Sequence, residues 1–125
     1  MRVLVADANR DVRSALGIAL RESLGPVTLD EVGTAAELMP KFAQTQPDVL
    51  IVDWGLLASG QTENAMAGLR ASGHHVAMIV LSGNPDSRPH AVESGADHFV
   101  AKSDPPERLL DILRDIKARQ QTSPS

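Results

Sequence analysis

Four short apolar runs punctuate the chain, and each stops at a polar residue. Arg2 to Ala6 (RVLVA) stops at Asp7, Val49 to Val52 (VLIV) at Asp53, Val76 to Leu81 (VAMIVL) at Ser82, and His98 to Ala101 (HFVA) at Lys102. The runs at Val49 to Val52 and Val76 to Leu81 predict strands buried on both faces, the pattern of a parallel sheet. A fifth segment, Val27 to Val32 (VTLDEV), alternates apolar and polar residues, which predicts a strand with one less buried face, at or near a sheet edge.

Between the strands the period lengthens. Val12, Leu16, Ala19, Leu20 and Leu24 mark one face of an amphipathic helix, which Gly25-Pro26 ends. Thr34 and Glu37 form a capping box that opens a second helix, and Pro40 within its first two turns predicts a kink or a late, short helix. Ser59 to Gly73 is weakly helical, with Ala65, Leu69 and Ser72 along one face. A short helix is expected near Pro89 to Ser94, introduced by a loop longer than itself because Pro85 and Pro89 both interrupt the chain. Asp104, Pro105, Pro106 and Glu107 predict a helix start with Asp104 as its cap, followed by a buried stripe of Leu109, Ile112, Leu113 and Ile116. Five strands alternating with five helical segments give a (βα)5 unit, whose expected packing is a doubly wound five-stranded parallel α/β sheet. Residues 1–119 form this single domain, and residues 120–125 (QQTSPS) read as a polar tail or linker remnant.

Composition narrows the function. A chain of 125 residues buries enough surface to fold without a disulfide or structural metal, and the absence of cysteine excludes thiolate chemistry. A net charge of −4, no basic block and only three aromatics (Phe42, Trp54, Phe99) argue against direct nucleic-acid binding by this chain. No apolar run is long enough to span a bilayer and the N-terminus does not resemble a signal peptide, so a cytoplasmic protein without membrane partners is the expectation. The four histidines (His74, His75, His90, His98) lack ligand spacing and read as surface residues. No phosphate-binding glycine motif is present.

The chemistry lies in the strand ends. In an open parallel sheet, ligands bind at the carboxyl edge of the strands, so Asp7, Asp53, Ser82 and Lys102 are expected to converge there. Two carboxylates, a hydroxyl and an ammonium suit a divalent cation together with a phosphoryl group. A carboxylate can itself be the nucleophile, forming an aspartyl phosphate. Read singly, Asp7 could instead cap the first helix, and Ser82 and Lys102 could be ordinary strand-end residues. Trp54 fits either an interface anchor or a partly buried residue after a central strand.

Together these segments resemble the receiver domain of two-component response regulators, over Arg2 to about Ala118. The resemblance rests on VLVAD (Val3 to Asp7) with Arg13, PDVLIVD ending at Asp53, VLSG (Val80 to Gly83) and SGADHFVAK (Ser94 to Lys102). It implies a CheY-like fold with strand order 2-1-3-4-5, with Asp53 as phosphoacceptor and Ser82 and Lys102 contacting the phosphoryl group. It implies Mg2+ held by Asp7, Asp53 and the Gly55 backbone carbonyl. Ser82 and Phe99 would form the switch. The implied partner is a histidine kinase or phosphotransfer protein, and a homodimer through helix four, strand five and helix five is a further implication. Such a module is not an enzyme beyond turnover of its own acyl phosphate.

Three positions depart from the family pattern. The usual adjacent acids after strand one read Asp7-Ala8, and the missing second acid is the direct metal ligand that the resemblance implies. Asn9 offers only a neutral oxygen in its place. The loop after Asp53 (WGLLASG) lacks the usual proline-glycine turn, and Ser103 follows Lys102 where proline is common. The departures motivate an alternative, a pseudo-receiver that acts as a phosphorylation-independent interaction domain. A remoter alternative is a small phosphatase of the haloacid dehalogenase type, with Asp7 as nucleophile; Asn9 then stands where that family needs a general acid.

Overall fold

The structure, a computed structural model, describes residues 1–58, 67–68, 71 and 75–122. Five strands, β1 (Arg2–Ala6), β2 (Thr28–Val32), β3 (Val49–Asp53), β4 (Ala77–Ser82) and β5 (His98–Ala101), pair in parallel in the order β2-β1-β3-β4-β5. Among the described residues the helices with defined bounds are α1 (Arg10–Leu24), α2 (Ala35–Thr45), α3 (Trp54–Ala58), α4 (Arg88–Glu93) and α5 (Pro106–Thr122). The alternating segment, β2, is an edge strand as expected, and the uniformly apolar β1, β3 and β4 lie inside the sheet.

Both faces of those inner strands are buried, and alternate residues divide between them. Leu4, Leu50, Val52, Met78 and Val80 pack with Leu38 and Phe42 of α2, Leu57 of α3 and Ala91 of α4. Val3, Val5, Val49, Ile51 and Ile79 pack instead with Leu20 and Leu24 of α1 and Leu109 and Leu113 of α5. Leu50 is fully buried at the centre of the middle strand. Leu50→Ala is expected to cost about 2–5 kcal/mol through lost burial and the cavity left behind. Chemical denaturation measures it, and a loss below 1 kcal/mol would contradict this packing.

Several local expectations are corrected. Helix α2 is neither late nor short: it starts directly after its cap Thr34 and runs through Pro40, which lies on its exposed side. The capping box is half formed, because Glu37 N–H donates to Thr34 Oγ1 while the Thr34 hydroxyl donates to the Glu37 carboxylate. Asp104 does not cap α5, which begins two residues later at Pro106. Its carboxylate turns back to accept the Ala101 N–H at 3.0 Å and pairs with Arg108. The residues before α4 are not a loop longer than the helix; Pro85–Ser87 already form a 3-10 turn running into it. Helix α5 continues through Gln120 to Thr122, since no glycine or proline interrupts the helix-forming run that follows Ile116. The helical segment expected over residues 59–73 lies outside the described residues except for Ala67, Gly68 and Ala71, which are helical.

At the amino edge of the sheet two aspartates secure strand starts. Asp48 Oδ2 accepts the Arg2 N–H at 2.8 Å, and Asp97 Oδ2 accepts the Met78 N–H at 2.8 Å. Of the histidines, His75 and His90 are exposed and His98 is half-buried, while His74 lies outside the described residues.

Candidate functional site

The register of the sheet assembles the strand-end residues on one edge. Ala6 lies opposite Val52, so Asp7 follows beside Asp53; Asp53 lies opposite Leu81, and Ser82 opposite Ala101. The Lys102 N–H then continues the ladder by donating to the Ser82 carbonyl at 2.7 Å. From there the Lys102 side chain reaches back across the sheet edge. Its Nζ lies 3.0 Å from Asp7 Oδ2 and 2.9 Å from Asp53 Oδ1, bridging the two carboxylates.

The two acids differ in access. The Asp7 side chain is 3% exposed, while that of Asp53 is 17% exposed. Each has a second anchor. Asp7 Oδ1 accepts the Asn9 N–H at 2.9 Å, and Asp53 Oδ2 accepts the Leu56 N–H at 3.3 Å from the first turn of α3. Arg13 fixes Asp7 from behind, donating to its backbone carbonyl while pairing with Glu31 at 3.2 Å. Burial acts to lower the basicity of the Lys102 ammonium, but hydrogen bonds to Asp53 and Asp7, with the charges of both, hold its pKa above the usual 10.5. Lys102 therefore keeps its positive charge through the neutral range.

Gly55 has a steric role that the sequence did not disclose. A Cβ there would stand 2.9 Å from Asp53 Oδ2, inside van der Waals contact, so a larger residue would push the carboxylate from this position. Asn9 is not brought into the cluster through its side chain. Its Oδ1 accepts the Asp11 N–H at 2.9 Å and the Val12 N–H at 3.4 Å, making Asn9, rather than Asp7, the cap of α1. Ala8 is exposed beside the pair. Trp54 is half-buried against the core next to Asp53.

Ser82 is buried, and its hydroxyl is directed to the following turn. It donates to the Asn84 carbonyl at 3.1 Å, accepts the Asn84 N–H at 3.1 Å, and lies 3.4 Å from Ser87 Oγ. Nothing in the sequence singled out Asn84 or Ser87; an S-x-N spacing at a strand end was the available signal. Phe99 is 6% exposed and packs in the same core cluster as Ala91 of α4. Beyond it, α4, β5 and α5 frame a cleft of about 170 Å3 whose lining includes Arg88, Val92, Phe99, Arg108 and Ile112.

The site thus presents a reachable carboxylate, a buried carboxylate, a shared ammonium and a strand-end hydroxyl at the edge where an open parallel sheet binds ligands. Residues 3–114 match the family defined as the response regulator receiver domain. The chain belongs to that family. This receiver domain is 25% identical over 118 residues to the oxygen regulatory protein NreC of Staphylococcus carnosus, and that match covers 93% of the chain and 54% of the relative. It therefore spans about half the length of the curated relatives it matches. Its fold is shared with the N-terminal domain of an uncharacterised protein of Wolinella succinogenes, at TM-score 0.81, 23% identity and 97% coverage of both chains. It is also shared with RcsB of Salmonella enterica, solved bound to promoter rprA in the presence of a beryllofluoride phosphomimetic, at TM-score 0.78 and 22% identity over 94% of this chain and 62% of that one. Receiver domains are signalling modules of two-component systems that interact with histidine kinases or phosphotransfer proteins, and are generally not enzymes. Membership displaces the phosphatase alternative. Among the described residues no helix is long and apolar enough to cross a membrane.

Proposed function

We propose that this receiver domain accepts a phosphoryl group on Asp53 from a histidine kinase or phosphotransfer protein and transmits its arrival to the α4–β5–α5 face. One observation carries the reading: Lys102 Nζ lies against both carboxylates, but of the two only Asp53 is open enough to meet a donor. An Asp53 carboxylate oxygen attacks the phosphorus of the donor phosphohistidine, the O–P bond forms, and the N–P bond breaks to release the imidazole. Lys102 offsets the charge brought to the site, and the Ser82 hydroxyl, once turned from the Asn84 carbonyl, would hydrogen-bond a phosphoryl oxygen.

Mg2+ needs one or two carboxylates, with the remaining positions filled by water and phosphoryl oxygens. Asp7 and Asp53, with the Gly55 carbonyl, meet that minimum and would hold it. The ion would supply charge neutralisation for phosphoryl transfer. The donor set is lean, because Ala8 contributes none and the Asn9 oxygen is already engaged as a helix cap.

That leanness favours a second reading, a pseudo-receiver whose interaction surface works without phosphorylation. Trp54 separates the two, being the sole tryptophan and adjacent to Asp53. Titration with Mg2+ and then beryllofluoride is expected to change Trp54 fluorescence, and Asp53→Asn is expected to abolish the beryllofluoride response. Silence to millimolar Mg2+ and to the mimic would leave the pseudo-receiver as the surviving reading.

A further inference from the structure

Asp7 lies one residue beyond β1, where the sheet no longer fixes both of its backbone groups. Its N–H still donates to the Val32 carbonyl at 3.1 Å, but its own carbonyl is held by a side chain, through Arg13 Nη1. The carboxylate is engaged as well, with the Asn9 N–H on Oδ1 at 2.9 Å and Lys102 Nζ on Oδ2 at 3.0 Å. Of these four bonds, the one from Arg13 sets the plane of the peptide that leads from Asp7 to Ala8. The Asn9 N–H follows one peptide later. Turning that plane would carry it away from Oδ1 and leave the carboxylate held by Lys102 alone.

The guanidinium is not wedged in place. An open cleft of about 440 Å3, whose lining includes Arg10, Ser14, Glu31 and Glu37, lies beside it, so Arg13 has room to swing outward. What holds it inward is its fork, with Nη1 on the Asp7 carbonyl while Nε donates to Glu31 Oε1 at 3.2 Å. Gly33 makes the approach possible. A Cβ at that position would stand 3.1 Å from Arg13 Nη1, tighter than side chains ordinarily pack. A guanidinium is otherwise a poor neighbour for a metal-binding acid, since its charge repels the metal. Glu31 offsets that charge, and the orienting bond remains.

We propose that Arg13 is a positioning residue that acts through Asp7, holding its carboxylate in the orientation a divalent cation needs. Glu31 and Gly33 keep the guanidinium in place. The inference rests on Asp7 and Asp53 forming the Mg2+ site. Because Ala8 supplies no second acid, the aim of Asp7 has no neighbouring carboxylate to back it up. The role has a distinctive sign. If Arg13 acted by its charge, removing it would tighten Mg2+ binding; acting by orientation, its removal weakens it.

The test uses the whole chain. Mg2+ followed by Trp54 fluorescence is expected to bind Arg13→Met about tenfold more weakly than the unaltered chain, the usual penalty for losing a group that orients a metal ligand. Arg13→Lys retains the charge but not the fork, and is expected to lose a comparable factor. Without Mg2+, amide protection at Asn9 should fall about threefold or more in both variants. Protection at residue 13, whose N–H donates to the Asn9 carbonyl at 3.2 Å, should stay unchanged and show that α1 is intact. In a chain that binds Mg2+, equal or tighter binding by either variant overturns the positioning role and leaves the metal site standing. If the unaltered chain ignores Mg2+, the metal site has failed. Asn9 protection then decides the clamp by itself, and an unchanged value in both variants overturns it.

Discussion

Lys102→Ala is expected to cost about 2 kcal/mol of folding stability at neutral pH, a large effect for a residue at the rim of a site. The ammonium is the bridging cation between a nearly buried carboxylate and a partly buried one. Removing it leaves two like charges at one strand edge with their desolvation uncompensated. Breaking a fully buried pair costs roughly 3–5 kcal/mol, and the lower figure here allows for a lysine side chain that is 32% exposed. In the unaltered chain the folded pKa of Lys102 is raised, so its contribution is present in full below the unfolded value near 10.5 and is lost as pH rises through the folded one. Asp53→Asn in the Lys102→Ala background should restore most of the loss at neutral pH. A Lys102→Ala protein as stable as the parent at pH 7 would mean that the bridge does not support the fold.

Ala8→Asp is expected to tighten Mg2+ binding by roughly thirtyfold. A new unit charge about 4 Å from a divalent ion contributes about 2 kcal/mol even at the dielectric constant of water. The substitution enters at an exposed position, so it displaces no core packing. Without metal the same change should destabilise the protein, because a third carboxylate would share the single Lys102 ammonium. The paired signs make the experiment informative: the variant is weaker than the parent in chelator and stronger in millimolar Mg2+. Isothermal titration and chemical denaturation with and without the ion measure both arms. Unchanged affinity would remove position 8 from the metal environment.

The edge on which these effects converge could be foreseen from four apolar runs, because each ends at a polar residue and parallel strands carry those ends to one edge. Asp7, Asp53, Ser82 and Lys102 all lie there, and the ammonium joins the first two. What could not be foreseen was the direction of short polar side chains. Asn9, Asp104 and Ser82 each choose between neighbouring backbone groups at nearly equal energy, and residue order does not rank such choices. Thus Asn9 caps α1, Asp104 turns back to Ala101, and Ser82 bonds to Asn84. The steric demand at Gly55 was hidden for a related reason, since it arises from the Asp53 rotamer rather than from a turn. Pro40 misled because a proline on an exposed helix face sacrifices one donor without disturbing the buried side formed by Leu38 and Phe42.

The two aspartates at the amino edge give the molecule a practical asymmetry. Asp48 and Asp97 lock the starts of β1 and β4 through backbone amides, at the end of the strands opposite the Lys102 bridge. Exposed neighbours there, such as His75, therefore offer an attachment point for a fluorophore, a surface tether or a fusion partner. A reporter placed at that end would leave the opposite, carboxyl edge of the sheet unobstructed.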